Sequence, residues 1–500
     1  MTEFNDVKEA PGSTAVLIAG AGPVGLALAC DLVRRGVRTR LVEQGEELFP
    51  GSRGKGLQPR TLEVLDDLGL GEAVLRESGR YPRMLPWDGA QPGEPFDFAA
   101  PGEPRPGEPY FEGRMLPQWR TQALLHERLR ALGGSVEFGT RLSGLEQDAD
   151  GVHVRLTSRD GRTSTAHAAF LVAADGGRST VRTALGIGMT GESVDPYPTL
   201  VADVAVAGLD RGHWHMWPHA DGGALGLCPL HGTELFQLTA RFTEPGAEPE
   251  TSAEAVRALV DGRTPLSADD VREVRWASVF RANAALAGAF RRGRVLLAGD
   301  AAHIHSPAGG QGLNTGVQDA FNLGWKLGQV LRHGADDALL DTYEEERMPL
   351  AAGVLDLTTR IHHGAQRRGR ATGQLDIGYR DSSLAAELRT APDGGLRAGD
   401  RAPDAECVTE QGERLRLFDA FRGPHWTLLA FGSARLPDPS AVPSGTHVHV
   451  HEIRGTEEHA EKAYGGGVFL VRPDGHLGIA ADAGSDADEI AAALTRLGLG

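Results

Sequence analysis

The sequence predicts an α/β chain: a parallel sheet of the βαβ type begins at the N-terminus, an antiparallel sheet is inserted into it, and a smaller α/β unit follows. Three observations predict this. Residues 14–19 form an apolar, β-branched run that ends in Gly20-Ala21-Gly22-Pro23-Val24-Gly25 and leads into a helix-like stretch, the order of a strand, glycine turn and helix. Residues 200–207, 213–217, 223–227, 234–242 and 271–280 alternate apolar with polar positions, the period of antiparallel strands. Past residue 390, strand-like runs at 427–431, 447–451 and 468–471 precede a closing helix at 486–497.

Taken in order, the first turn carries the first chemistry. Gly20 permits the tight bend, Gly22 lets the backbone approach a pyrophosphate, Pro23 follows in the same turn, and Gly25 lets the helix at 26–34 pack on the strand. A second strand, 37–42, ends in Glu43, roughly 20 residues beyond the glycines, where a carboxylate accepts from ribose hydroxyls and argues against a 2′-phosphate. The site is therefore Rossmann-like and suits FAD or NAD. Residues 91–109 are rich in proline and glycine and read as a long loop, either a lid or plain surface. A helix is expected at 121–132, just after Gln118. A short strand, 294–298, delivers Gly299-Asp300 to a sheet edge, where Asp300 can accept from a ribityl hydroxyl. The glycine-rich loop Pro307, Gly309, Gly310, Gln311, Gly312, Leu313, Asn314 then enters a helix at 315–331. Backbone N–H groups at such a helix start stabilise negative charge, which on a reduced flavin lies around N1 and C2=O. That selects FAD over NAD.

Composition bounds the class. A chain of 500 residues holds about two or three domains. It has no apolar run long enough to span a membrane, and its first 12 residues are polar, so neither a membrane partner nor a secretory signal is expected and the location is cytoplasmic. Cys30, Cys228 and Cys407 are scattered and form no CxxC, which argues against a disulfide framework, a zinc site or dithiol chemistry. The net charge of −17 disfavours a nucleic-acid partner.

Three segments together, GAGPVG, Asp175-Gly176-Gly177-Arg178-Ser179 and GDAAHIHSPAGGQGLNTGVQDAFNLGWKL, resemble the para-hydroxybenzoate hydroxylase-like flavoprotein monooxygenases. The likeness is greatest to the angucycline and anthracycline polyketide hydroxylases and to the phenol and rifampicin monooxygenases. The resemblance implies an FAD-binding domain at 1–182, with residues 80–110 on the substrate side, resumed at 281–390. It also implies a substrate-binding antiparallel sheet at 183–280 and a thioredoxin-like unit without redox cysteines at 391–500. It implies that Gly20, Gly22, Gly25 and Glu43 hold the ADP half, that Gln118 and Asp300 hold ribityl and pyrophosphate, and that Pro307 and Gly309 to Asn314 surround the ring. Asp175, Gly176 and Arg178 match a segment linked to both FAD and the nicotinamide nucleotide. Arg53 matches an arginine on a mobile flavin loop; with Pro307 it is the residue assigned to catalysis. Glycine follows Arg53 where alanine is usual in the family.

The implied reaction uses NADPH or NADH as transient reductant and O2 as co-substrate. A flavin C4a-hydroperoxide would insert one oxygen into a polycyclic phenol. Baeyer–Villiger insertion, epoxidation and a non-catalytic FAD-binding accessory role stay open. The substrate candidates are Trp214, Met216, Trp217, Leu227, Pro229, Leu230 and Phe236, although the same residues would fill any core. For a small phenolic acid, Arg241 or Arg281 would take the carboxylate. His213 and His215 share a strand face with Trp217 and read as pocket wall or plain sheet, with a metal disfavoured. His303 and His305 are not assigned as bases. Arg472-Pro473-Asp474-Gly475 reads as only a hairpin turn. The expected partner is a small aromatic molecule, with a homodimer left open.

Overall fold

The computed structural model describes residues 14–99, 102–390, 395–432, 434, 447–485, 487–495 and 497; the polar N-terminus, Gly394 and Asp486 lie outside them. The parallel sheet runs in the order Arg291–Arg292, Val295–Leu297, Thr163–Ala173, Thr14–Ala19, Thr39–Val42, Val136–Glu137. Ala19 is in register with Ala173 and with Val42, and Ala173 with Leu297. Gly20, Glu43, Ala174 and Ala298 therefore leave the sheet along one carboxyl edge, the place where open α/β sheets bind ligands.

Two helices close over that edge. Pro23–Arg34 begins three residues before the expected start, at its proline, which supplies no N–H and has helical φ already. Gly312–His333 begins at Gly312 and stops at Gly334, whose φ of 74° is left-handed. The two helices pack through small residues: a Cβ on Gly316 would overlap Val24, and one on Gly324 would overlap the Asp31 carboxylate. No described helix is long and apolar enough to cross a membrane.

The second sheet runs His303–Ile304, Val271–Ala287, Met189–Val206, Leu235–Arg241, Leu225–Pro229, His213–Trp217, Arg83–Asp88, Gln91–Pro92. All five expected strands are present. Three members are additions. Arg83–Asp88 pairs parallel with His213–Trp217 and turns into Gln91–Pro92, so residues 91–109 are not one loop; Pro86 and Pro92 mask the strands in the sequence because proline is confined to sheet edges. His303–Ile304 pairs with Val271–Ala287 and so ties this sheet to the Gly299-Asp300 turn.

The third unit has a seven-stranded sheet. Trp426–Phe431 lies parallel to Val448–Thr456 and antiparallel to Gly467–Val471, which returns as Leu477–Ala481, and the helix Ala487–Leu494 follows. This is the arrangement expected of a thioredoxin-like unit. The turn Arg472-Pro473-Asp474-Gly475 is more than a hairpin connection. Arg472 reaches out of its own unit to Glu346, at 2.6 and 3.0 Å, while also pairing with Asp474. Glu346 in addition accepts from Lys326 at 2.7 Å, Asn322 at 2.7 Å and Ser382 at 2.7 Å. Arg472, Lys326 and Glu346 have fully buried side chains. Local sequence shows only the hairpin turn, because the carboxylate that buries the arginine lies more than a hundred residues upstream in another unit.

Candidate cofactor and substrate site

A cleft of about 980 Å³ lies along the carboxyl edge of the parallel sheet and is lined by residues from 19–24, 42–56, 174–180 and 298–313. At one end stands the glycine turn. Gly20 has φ 103°, and a Cβ there would overlap the Ala174 carbonyl; a Cβ on Gly25 would overlap the Gly20 carbonyl oxygen. Gly22 has open space beside it and faces the cleft. Glu43 accepts from the N–H groups of Ala21 and Gly45, each at 2.8 Å, which fixes its carboxylate at the mouth of the turn.

The middle of the cleft is built by a loop and two turns. Arg53 lies over the Phe49 ring at 4.6 Å. Gly54 and Gln118 are joined by paired bonds, Gly54 N–H to Gln118 Oε1 and Gln118 N–H to Gly54 C=O, both at 3.0 Å. Gln118 is the first residue of the helix Gln118–Ala131, not a residue before it. Asp175 accepts from Thr180 N–H at 2.8 Å while its buried Oδ1 has no partner among the described residues. Burial raises the Asp300 carboxyl, opposed by the nearby His303 and Arg53.

At the ring end, Pro307, Gly310, Gln311, Gly312 and Leu313 line the cleft. The helix Gly312–His333 has no side-chain cap, so its first N–H groups offer partial positive charge. Gln311 Oε1 is a second buried atom without a partner among the described residues. Gly25, Gly309 and Asn314 do not line the cleft. Gly25 packs helix on turn, Gly309 abuts Thr358, and Asn314 staples two loops together. Asn314 Oδ1 accepts from Gln58 N–H at 2.8 Å, and its amide donates to Gly56 C=O at 3.0 Å and Gly310 C=O at 2.9 Å.

Behind the ring end runs a chain that sequence reasoning missed. Asp319 takes the Gly299 N–H at 3.0 Å and Arg347 at 2.7 Å, and pairs with His303 at 2.6 Å; His303 in turn meets His305 at 2.9 Å. Burial acts to raise the Asp319 carboxyl, but His303 and Arg347 hold it down at about 2. The chain orients the turn that presents Asp300. Asp319 lies on the helix that the GDAAH motif precedes, and only the fold brings it under that motif.

An open glycine turn, a carboxylate at its mouth, an uncapped helix start and buried polar atoms along one cleft fit FAD. Residues 13–358 match the FAD binding domain family, and residues 396–498 match the aromatic-ring hydroxylase C-terminal family. The chain belongs to the FAD-dependent aromatic-ring monooxygenases. It is 44% identical to a flavin-dependent monooxygenase of Mycobacteroides abscessus over 480 residues, 94% of this chain and 97% of that one. Among solved structures, it is similar to anhydrotetracycline hydroxylase of Streptomyces rimosus, with TM-score 0.78, 33% identity and coverage of 96% and 98% of the two chains. It also resembles aklavinone-11 hydroxylase in complex with FAD and aklavinone, with TM-score 0.82, 28% identity and coverage of 99% of each chain. The chain is thus an FAD-dependent monooxygenase that uses NAD(P)H and O2.

The substrate candidates divide between two faces of the antiparallel sheet. Trp217, Leu227 and Phe236 are buried in a core with Leu200, Val256 and Val260, on the face away from the cleft; by alternation Pro229 falls with Leu227. Leu230 is buried and gives its carbonyl to Arg211. Trp217, Leu227, Pro229 and Phe236 therefore belong to the core and not to the pocket, since period two sends neighbours to opposite faces. Trp214 and Met216 lie on the other face, clustered with Met115, Cys228, Tyr81, Met84 and Phe98. His215 is also structural: Trp87 Nε1 donates to its Nδ1 at 3.1 Å, and its Nε2 meets the Asp210 carbonyl at 2.9 Å. Arg241 is engaged by Asp195 at 2.9 Å, and exposed Arg281 donates to the Ala247 carbonyl at 3.0 Å. Neither stands at the cleft.

Asp203, also missed, lies on the strand Met189–Val206 behind the Ser52 to Lys55 loop. It is fully buried beside Ser52, and among the described residues neither oxygen has a well-aligned hydrogen bond. Burial pushes its carboxyl up to about 6, against weaker pulls from Ser52, Arg275 and Lys55. A carboxyl whose folded pKa is raised holds its proton longer in the native state, so its ionisation lowers stability as pH rises from about 4 to 6. Asp203→Asn is therefore expected to raise the melting temperature at pH 8, by the equivalent of about 1–3 kcal/mol, and to change it little below pH 4. Equal effects at both pH values would show that the charge is not responsible.

Proposed function

We propose that this enzyme hydroxylates a flat, electron-rich phenolic compound of the polycyclic polyketide type. The observation that carries the reading is the continuity of the cofactor cleft with an aromatic and methionine-rich sheet face: Lys55 lines the cleft and also lies 4.4 Å from the centre of the Trp214 ring. The anhydrotetracycline and aklavinone hydroxylases it resembles are named for substrates of this kind. Bound FAD supplies the reductive activation of O2. The chain's residues bind and exclude water. Gly22 and the start of Gly312–His333 receive the cofactor's charged groups, Arg53 lies beside its path, and Pro307 bounds the ring. Trp214, Phe98 and Tyr81 present aromatic surface to a planar ligand, with Phe98 and Trp214 centroids 4.8 Å apart, a spacing typical of interacting rings.

The test is turnover of the FAD-loaded enzyme with NADPH or NADH, isotopically heavy O2 and a panel of polyketide phenols. The expected result is substrate-stimulated NAD(P)H oxidation and a product carrying one heavy oxygen on an aromatic carbon. A lactone or epoxide would replace hydroxylation with another oxygenation. Hydrogen peroxide as sole product with every phenol would sink the reading. A cytoplasmic location, a homodimer and the exclusion of nucleic acid belong to the same reading; the charge of −17 supports the last, and light scattering of the purified protein tests the dimer.

A further inference from the structure

Lys55 is the cation that joins the two halves of the site. It lies two residues after Arg53 on the loop held by Gln118 and Asn314, and its side chain turns from the cofactor cleft toward the sheet. There the ammonium donates to Gln237 Oε1, and the Gln237 amide donates to the Ser52 carbonyl, so both ends of that glutamine are committed. The π face of Trp214 is its second neighbour, at 4.4 Å. An ammonium has three donors, and an amide oxygen with an indole face leaves donor capacity unspent. The ionisable groups facing Lys55 are Cys228, Arg368 and Asp203. Asp203 makes no hydrogen bond to it, burial pushes the Cys228 thiol up to about 11 so that it stays neutral, and Arg368 adds a like charge. Arg368 itself lies 3.8 Å above the Phe98 ring, on the same aromatic cluster. Above about pH 6 the Asp203 carboxylate offsets one of the two cations, which leaves an excess of positive charge beside the cleft, and among the described residues no anion is hydrogen-bonded to the Lys55 ammonium. Burial disfavours the charge on Lys55, and a desolvated cation gains most from a partner of opposite sign.

We propose that Lys55 binds an ionised oxygen, a phenolate or enolate, on the aromatic substrate and so selects substrates with an acidic ring hydroxyl. This rests on the aromatic-substrate reading above and adds to it the residue and the ionisation state of the ligand. The proton lost by the hydroxyl passes to solvent. Lysine is suited to a single oxygen as a point charge, whereas a carboxylate calls for the two-pronged geometry of arginine. The packed Trp214 and Phe98 rings would then cover one side of the ligand's ring system.

The experiment titrates the oxidised, FAD-loaded enzyme with quinizarin, a planar dihydroxyanthraquinone whose ionised form absorbs to the red of its neutral form and of the flavin. At a pH where the free dye is neutral, the wild type is expected to show the ionised band on binding. Lys55→Met is expected to bind the dye in its neutral colour and about ten- to a hundredfold more weakly, the loss of one charge-assisted bond, and Lys55→Arg to restore the band in part. Wild-type binding in the neutral colour overturns the inference, even if Lys55→Met does not fold. So does a Lys55→Met protein with the wild-type band and affinity. Wild type that binds no dye and responds to no phenol in NAD(P)H oxidation overturns the aromatic-substrate reading and the inference with it; neutral binding with hydroxylation intact removes only the role of Lys55.

Discussion

Gly25→Ala is expected to yield a folded but colourless protein, with FAD affinity lowered by about a hundredfold or more. A Cβ at this position would overlap the Gly20 carbonyl oxygen and would also press on Ala174. The obstacle is backbone, so no side-chain rotation relieves it. The helix Pro23–Arg34 must shift away from the turn, and its first N–H groups lose their aim at the pyrophosphate. Hydrogen bonds to a charged group are worth about 1.5–3 kcal/mol each, so two misdirected donors account for the expected loss. Gly22→Ala is the informative contrast. No described residue outside its chain neighbours lies within 4 Å of a Cβ there, so that variant should fold and melt like the wild type and lose affinity only because the methyl occupies the ligand's approach. Flavin absorbance of the purified proteins, titration of FAD into the apo forms and circular dichroism check both. A yellow Gly25→Ala protein with wild-type affinity would show that the turn does not set the phosphate site.

Glu346→Ala is expected to cost stability on the order of 3–5 kcal/mol, because it strands two buried cations. Arg472 and Lys326 both direct their charges at this carboxylate, with Asn322 and Ser382 completing it. The network joins the third unit to the helices Gly312–His333 and Asp341–His362 of the cofactor domain, so the loss should appear as a lower melting temperature together with earlier release of FAD. Glu346→Gln keeps the shape and removes the charge; an equal loss in both variants assigns the effect to charge. The pH dependence has a definite sign. Burial by itself would raise the Glu346 carboxyl, but Arg472 first and Lys326 next outweigh it and hold it well below the usual range. A carboxyl depressed in the folded state contributes stability that is complete above its unfolded value, about 4.3, and is lost as pH falls toward the folded one. The melting temperatures of wild type and Glu346→Gln should therefore converge in acid. A constant difference down to pH 2 would sink the charge argument.

The cofactor half of the site was legible because local rules govern it. A strand, a glycine turn and a helix in sequence must place Gly20, Gly22 and Glu43 at one carboxyl edge, and the second glycine loop must open a helix. The strand Thr14–Ala19 and the strand His213–Trp217 have the boundaries that alternation and composition predict. The substrate half was legible only in part. Trp214 and Trp217 look alike in the sequence, yet one faces the cleft cluster and the other the opposite core. The parity of a strand says which residues share a face, and only packing says which face meets the cofactor.

What the sequence by itself determined is the class of the protein: the βαβ start, the FAD fingerprint, the inserted sheet and the C-terminal α/β unit, each written in short-range periodicity and turn chemistry. Only the tertiary structure decided that Arg83–Asp88 completes the sheet, that Asp319 stands under His303, that Asp203 and Lys55 face one another behind the flavin loop, and that Arg472 is buried against Glu346. These pairings join residues tens to hundreds of positions apart. For Asp319 with His303 and Arg472 with Glu346 the physical basis is the cost of burying charge without a partner, which depends on the neighbours that folding supplies and leaves no local pattern to read.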